Sequence, residues 1–206
     1  MTIDPTNAGG AGLIDRAKNI LLTPQAEWDR IAAEPADVQK IYVGYVLPLA
    51  AFSALCGFLG MTLIGMMGWR MGIVPGLVNA ILQTAFATCS VFVLAFILNA
   101  LAPSFGSRAD MGQAHKLAAY GSTAFFLAGV FALFPPLAML ALVGLYSFAL
   151  IFIGMPRLMG TPEDKRIVYL LVVIVIAIVV QLVLGTIVGS LMLMVPGYTP
   201  LSPFGA

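Results

Sequence analysis

Apolar residues dominate five long stretches of this chain, at residues 41–67, 76–102, 117–134, 137–155 and 167–195. A helix needs about 20 mostly apolar residues to cross a bilayer, and these stretches meet or approach that length. None of the five contains Asp, Glu, Lys, Arg or His. The pattern predicts an all-α polytopic membrane bundle of five transmembrane helices, with every ionisable side chain of those types in a connector or in the polar head, residues 1–40. Only Pro135 and Pro136 separate the third and fourth stretches. A proline pair ends one helix and opens the next, so a tight antiparallel hairpin is expected there. The rival, one bent helix over 117–155, would be about 58 Å long against a hydrocarbon layer of about 30 Å. The first, second and fifth stretches are long enough to tilt or to extend into the headgroup layer. Pro48 in the first either kinks that helix or marks where an interfacial segment gives way to the spanning part.

The head has a different pattern. Leu13, Ile14, Ala17, Ile20 and Leu21 recur at helical spacing, with Asp15, Arg16, Lys18 and Asn19 between them, which predicts a short amphipathic helix. Thr23-Pro24 reads as a cap and a first helical residue. Trp28, Ile31 and Ala32 then share a face opposite Glu27, Asp29 and Arg30, and Pro35 ends the helix. Two readings apply: a surface or partner-binding helix, or a short helix packed on the ends of the bundle with Trp28 as the candidate interface anchor. The second is preferred, because the apolar face is narrow and lacks a basic excess. No secretory signal pattern is recognisable, and the first span is expected to act as an uncleaved anchor.

Composition narrows the class. Charged residues make up 9% and hydrophobic ones 61% of the 206 residues, with a mean hydropathy of +1.02. Soluble domains carry about 25% charged residues, and disordered chains are charge-rich and apolar-poor, so both are excluded. The net charge of +1 gives no footing for nucleic acid. Nine of the ten basic residues fall on one side of a five-span arrangement: Arg16, Lys18, Arg30 and Lys40, then Arg108 and Lys116, then Arg157, Lys165 and Arg166, leaving Arg70 on the other. The positive-inside rule then predicts a short amphipathic cytoplasmic N-terminal segment and a non-cytoplasmic tail at 196–206. In a bacterium the membrane would be the inner one.

Candidate chemistry is sparse. Nucleophile-elbow, H-E-x-x-H, P-loop and dinucleotide motifs are absent from the sequence. His115, near Asp110 and beside Lys116, reads as an ordinary residue of a connector, and a zinc site needs three or four ligands. Cys56 and Cys89 read as small hydrophobes. No catalytic residue, metal or cofactor is expected, and the chain does not read as an enzyme. Asn79, Gln83, Asn99 and Gln181 are a candidate polar groove, although such groups more often hydrogen-bond between helices. Gly185 and Gly189, with Gly57 and Gly60, are candidate helix-packing positions, expected to serve the bundle itself.

Several local patterns together resemble the Yip1 domain family. They are Leu22-Thr23-Pro24-Gln25-Ala26-Glu27-Trp28-Asp29-Arg30-Ile31 in the head, Tyr45 to Ala51 with Pro48, and Tyr120-Gly121-Ser122-Thr123 leading to Leu127-Ala128-Gly129. A fourth is Leu145-Tyr146-Ser147, with Gly154-Met155-Pro156 and Pro162-Glu163-Asp164-Lys165-Arg166 after it. The resemblance covers about residues 20–190 and is to the bacterial members. It implies five spans and a cytoplasmic N-terminus. The missing catalytic constellation and the small-residue helix faces lead to the expectation of a non-enzymatic protein that acts through helix packing with partners or lipids in membrane organisation or trafficking-like processes. Eukaryotic members associate with Rab GTPases through a longer acidic head bearing a D-L-Y-G-P-L-like motif; this head lacks it, so the resemblance carries no GTPase partner to this chain. Membrane lipids, a second copy or other membrane proteins are the expected partners. An uncoupled small-molecule or lipid transporter or channel, using the neutral polar residues of the second and fifth spans, is the alternative.

Overall fold

The computed structural model describes residues 12–66 and 70–196; the end of the first apolar stretch at Met67 and nearly all of the 196–206 tail lie outside them. Two short helices, α1 (Leu13–Leu22) and α2 (Pro24–Ala33), precede five long ones. The long helices, the first to fifth spans in chain order, are Val38–Ile64, Ile73–Phe105, Met111–Leu133, Met139–Met159 and Glu163–Leu193, each long and apolar enough to cross a membrane. The described residues contain no strand.

Most spans run further than the apolar stretches. The third begins at Met111, where Asp110 caps the helix by accepting from the backbone N–H of Gln113. His115 and Lys116 therefore lie in its first turns, not in a connector. Arg157 lies inside the fourth span, and Glu163, Asp164, Lys165 and Arg166 open the fifth. The expectation that ionisable groups stay outside the helices is corrected by these residues. Hydropathy detects where water is excluded, whereas the helices continue until a cap or a glycine stops them. At Gly106 and Gly160 the chain turns at φ +68° and +61°, a left-handed conformation that glycine adopts at little cost.

Pro48 does not interrupt the first span. A π-helical turn, Tyr42–Val46, lies just before it, and the Leu47 N–H bonds back to the Tyr42 carbonyl. That wider turn makes room for a ring that would otherwise crowd the carbonyl four residues back. The third span bends at Ser122, whose φ and ψ are −80° and 1°, and ends in a 3₁₀ turn, Gly129–Leu133. The chain reverses at Phe134, and the fourth span packs back on the third as a hairpin. Its first half is not the expected α-helix: Pro135–Leu145 is 3₁₀, and α-helix begins at Tyr146. As α-helix, 137–155 would span only about 28 Å, whereas eleven 3₁₀ residues alone cover about 22 Å.

The packing divides the molecule into two halves. The head-side half holds nearly all of the buried core, including Val46, Leu98, Leu117, Leu150, Met155, Met159, Tyr169 and Val173. The head lies against it. Gly154 is the seat for Trp28: a Cβ there would meet Leu117 at 2.7 Å and the indole at 2.8 Å. In the far half the helices splay, and contact is made at small residues. A Cβ at Gly60 would lie 2.0 Å from the Ala132 carbonyl oxygen, and one at Gly129 would lie 2.0 Å from Ser53 Oγ. Gly57 meets Ala132 at an ordinary 4.0 Å. Gly185 and Gly189 differ, since a Cβ at either meets no described atom within 4 Å. The expectation that this pair packs inside the bundle is therefore corrected at these two positions, although the same half of the fifth span is held at Gln181, bonded to Ser90, and buries Met192.

Gly60→Ala is expected to destabilise the bundle by about 1–3 kcal/mol, since backbone must move. Gly185→Ala and Gly189→Ala should change stability by less than about 0.5 kcal/mol. Thermal unfolding of the three variants in one detergent measures the contrast.

Candidate functional site

Two regions concentrate polar groups. The first joins the head to the spans. Arg16, expected on the polar face of α1, is buried and forms ion pairs with Glu27 at 2.8 Å and Glu34 at 2.6 Å. Its guanidinium also lies 5.4 Å from the centre of the Tyr120 ring. Burial works to lower the Arg16 pKa, but the Glu34 hydrogen bond and the nearby acidic groups outweigh it and hold the pKa above its ordinary value. Lys116 is fully buried, and its Nζ donates to the Ile31 carbonyl at 2.9 Å and to the Glu34 carbonyl. The Ile31 carbonyl also accepts from the Glu34 N–H at 3.3 Å, so the cation adds a second donor there and partners the Glu34 carbonyl just past the end of α2. Arg157 adds a 2.6 Å ion pair to Asp29. Ser107 and Thr161 join the second–third and fourth–fifth connectors at 3.0 Å. The head, these two connectors and the span ends beside them, which together carry nine of the ten basic residues, are thus gathered at one end.

Trp28 is 0% exposed. Its role as an anchor in the headgroup layer is corrected: the indole is covered by protein, and it fastens the head to the bundle. His115 is also buried, with Nδ1 3.0 Å from Tyr42 Oη and its ring edge-on to Tyr42. Among the described residues no cluster of three or more His, Cys, Asp or Glu is placed to hold a metal ion. Cys56 and Cys89 are both free thiols.

The second region is a cavity of about 680 Å³ among the spans, lined by residues of all five. Ala50, Ile97, Ile151 and Val173 form its floor on the head side. Behind that floor stand Leu98, Met155 and Tyr169, all fully buried, with Tyr169 bonded to the Leu98 carbonyl and stacked on Phe105. Tyr45 closes the same level through a 2.7 Å bond to Thr123. The side wall between the fourth and fifth spans is open, where lining residues Leu145 and Leu182 are 57% and 67% exposed.

Seven neutral polar residues line the cavity: Ser53, Asn79, Gln83, Ser90, Ser122, Ser147 and Gln181. No lining residue is ionisable in the physiological range. Three of the four expected groove residues are brought together here. Asn99 is not: it lies on the head-side half of the second span, about 24 Å along the helix from Gln83, and its Oδ1 is buried without a described partner. Membership in one apolar helix did not fix depth, and Asn99 sits four turns nearer the head. The sequence reading also missed Ser53, Ser122 and Ser147 as lining groups; Gly57 and Gly144 beside them were the available signal of a close helix approach.

Hydroxyls in the second span are satisfied locally. Thr84 Oγ1 bonds the Ala80 carbonyl and Thr88 Oγ1 the Thr84 carbonyl, both at 2.8 Å. Ser90 Oγ lies 2.8 Å from the Phe86 carbonyl and 3.0 Å from Gln181 Oε1, which links the second and fifth spans. The amides of Asn79 and Gln83 have no such partner among the described residues, and they share a face by their four-residue spacing.

Comparison with known proteins agrees with this architecture. The Yip1 domain family model matches residues 18–185. The chain is similar to the inner membrane protein YohC of Escherichia coli K12, with 27% identity over 154 residues, covering 69% of this chain and 77% of the relative. The protein of that name in Escherichia coli O6:H1 matches to the same extent. No solved structure matches.

Replacing Arg16 by Leu leaves two carboxylates facing a buried gap and is expected to cost about 3–5 kcal/mol at the head. In a Trp69→Phe background, Trp28 emission should shift to the red and α1–α2 should become sensitive to protease. The match of the family model from α1 well into the fifth span, on a bundle of five membrane-length helices, shows that this membrane protein belongs to the Yip1 domain family.

Proposed function

We propose that this protein is a non-enzymatic membrane protein that acts on bilayer organisation by taking lipid into its cavity. The observation that carries the reading is the cavity itself: about 680 Å³, mostly apolar, free of ionisable side chains and open sideways between the fourth and fifth spans. Sites for small organic molecules are apolar clefts of about 300–1,000 Å³ with a few placed polar groups. A charged or strongly hydrated solute gains little from such a lining, and an acyl chain gains a great deal. The gathered basic residues support a cytoplasmic head under the same reading. The relative's printed name, an inner membrane protein, supports the inner membrane as the location.

A second reading, lipid translocation without ion coupling, is favoured by the grouping of Asn79, Gln83 and Gln181 on one cavity. An aqueous path right through the molecule is disfavoured by the packed layer at Leu98, Met155 and Tyr169.

Native mass spectrometry of the protein in mild detergent tests the first reading. About one lipid per chain is expected, lost on filling the cavity with Ala54→Phe and Ala177→Phe. Wild-type protein that carries no lipid would sink the proposal. Movement of a fluorescent lipid analogue between leaflets of reconstituted vesicles distinguishes translocation from retention. A reporter fused after Ala206 is expected to be active only outside the cytoplasm, and activity inside would overturn the orientation.

A further inference from the structure

Taking the lipid-holding cavity of the proposed function as its basis, we infer that Asn79 and Gln83 form a recognition site for the acyl ester of a glycerolipid drawn from the leaflet opposite the head. The ester is the part of the lipid that is read, and the two side-chain amides read it.

Three observations support this assignment. First, the two side chains line the cavity, and their amides are unpartnered among the described residues, while the second-span hydroxyls at Thr84, Thr88 and Ser90 bond backbone carbonyls. A primary amide carries two N–H donors. Asn79 is half-buried and Gln83 exposed to the open cavity, so once acyl chains fill that space the donors lose water, and leaving them unmade is then costly. The ligand group they call for is a neutral acceptor.

Second, no residue lining the cavity is ionisable in the physiological range. A phosphate or ammonium has no counter-charge within it, so the lipid headgroup stays outside and the portion inside is uncharged. An ester carbonyl joined to a hydrocarbon chain is the neutral acceptor that a glycerolipid offers.

Third, the depth is suitable. Asn79 lies six residues and Gln83 ten residues into the helix that starts at Ile73, about 9 and 15 Å from its far end. The second span, Ile73–Phe105, is about 50 Å long, against a hydrocarbon core of about 30 Å. If it is centred, about 10 Å at each end lies in the interfacial layer. Asn79 is then at the hydrocarbon boundary, where acyl esters reside, and Gln83 is one turn deeper. Below them Phe86, Leu94, Phe148 and Ile174 provide an apolar channel for the chain, ending at the floor of Ala50 and Ile151. The opening beside Leu145 and Leu182 admits a chain from the side.

The test is a competition on the full-length protein. Phosphatidylglycerol with two ester-linked chains is offered in nanodiscs with its diether analogue, identical in headgroup and chain length but without carbonyls. Lipid retained after extraction is read by native mass spectrometry. The wild-type protein is expected to retain the diester over the diether by about tenfold, the scale of one or two net amide hydrogen bonds. The Asn79→Leu, Gln83→Leu variant should still retain lipid with the preference reduced to about one. Asn99→Leu, away from the cavity, should keep the preference. Equal retention of diester and diether by the wild type overturns ester recognition and leaves the lipid cavity standing. A preference that survives in the double variant overturns the assignment to Asn79 and Gln83. Retention of neither lipid overturns the cavity reading as well. The wild-type comparison needs no substitution, so it decides the matter even if the double variant does not fold.

Discussion

An ammonium group cut off from water must find oxygen atoms, and Lys116 finds them at the end of α2. The third span carries this cation into a fully buried position, where it joins the Glu34 N–H on the Ile31 carbonyl and partners the Glu34 carbonyl. Without these oxygens the lysine would be an unpaired buried charge. Around this pairing Arg16 closes the angle between α1 and α2 through Glu27 and Glu34, and Trp28 settles on Gly154. The head becomes part of the bundle, and the dense half of the molecule forms where it docks. The far half has no comparable element, and the cavity is the space left there.

This arrangement separates two kinds of polar residue. At the head end every charge that enters the protein meets an opposite charge or a helix terminus. In the cavity the polar groups are neutral and few: Ser90 and Ser122 bond carbonyls of their own helix, and Ser147 accepts from the backbone N–H of Phe125. The side-chain amides differ because an amide has more donors than a single backbone carbonyl one turn away can absorb. They are therefore the groups through which the cavity can distinguish one lipid from another.

The five spans, the proline-pair hairpin and the two head helices were legible in the sequence, because long apolar runs and Thr23-Pro24 or Pro135-Pro136 act locally. The family was legible from short patterns in a fixed order. The destination of individual side chains was less so. Arg16, Lys116 and Trp28 all look like surface or interface residues in a linear reading, since burial of a charge depends on a partner far along the chain: Glu34 for Arg16, Ile31 for Lys116, Gly154 for Trp28. Gly185 and Gly189 show the reverse error. Their spacing permits a close approach, but a Cβ at either would meet no described atom within 4 Å. Asn79, Gln83 and Gln181 were grouped correctly by residue type, whereas Asn99 was misplaced because type says nothing of depth.

The 3₁₀ stretch at Pro135–Leu145 lengthens one wall of the molecule. Three residues per turn stack side chains in straight columns, so Leu137, Leu140 and Val143 form one file and Met139, Leu142 and Leu145 another. All six are exposed. An ordinary α-helix of the same eleven residues would be about 5 Å shorter and would wind those files into a spiral. The 3₁₀ form therefore gives this wall added reach of about a sixth of the hydrocarbon thickness, which lets the shortest apolar stretches of the chain, the third and fourth, match the longer spans beside them.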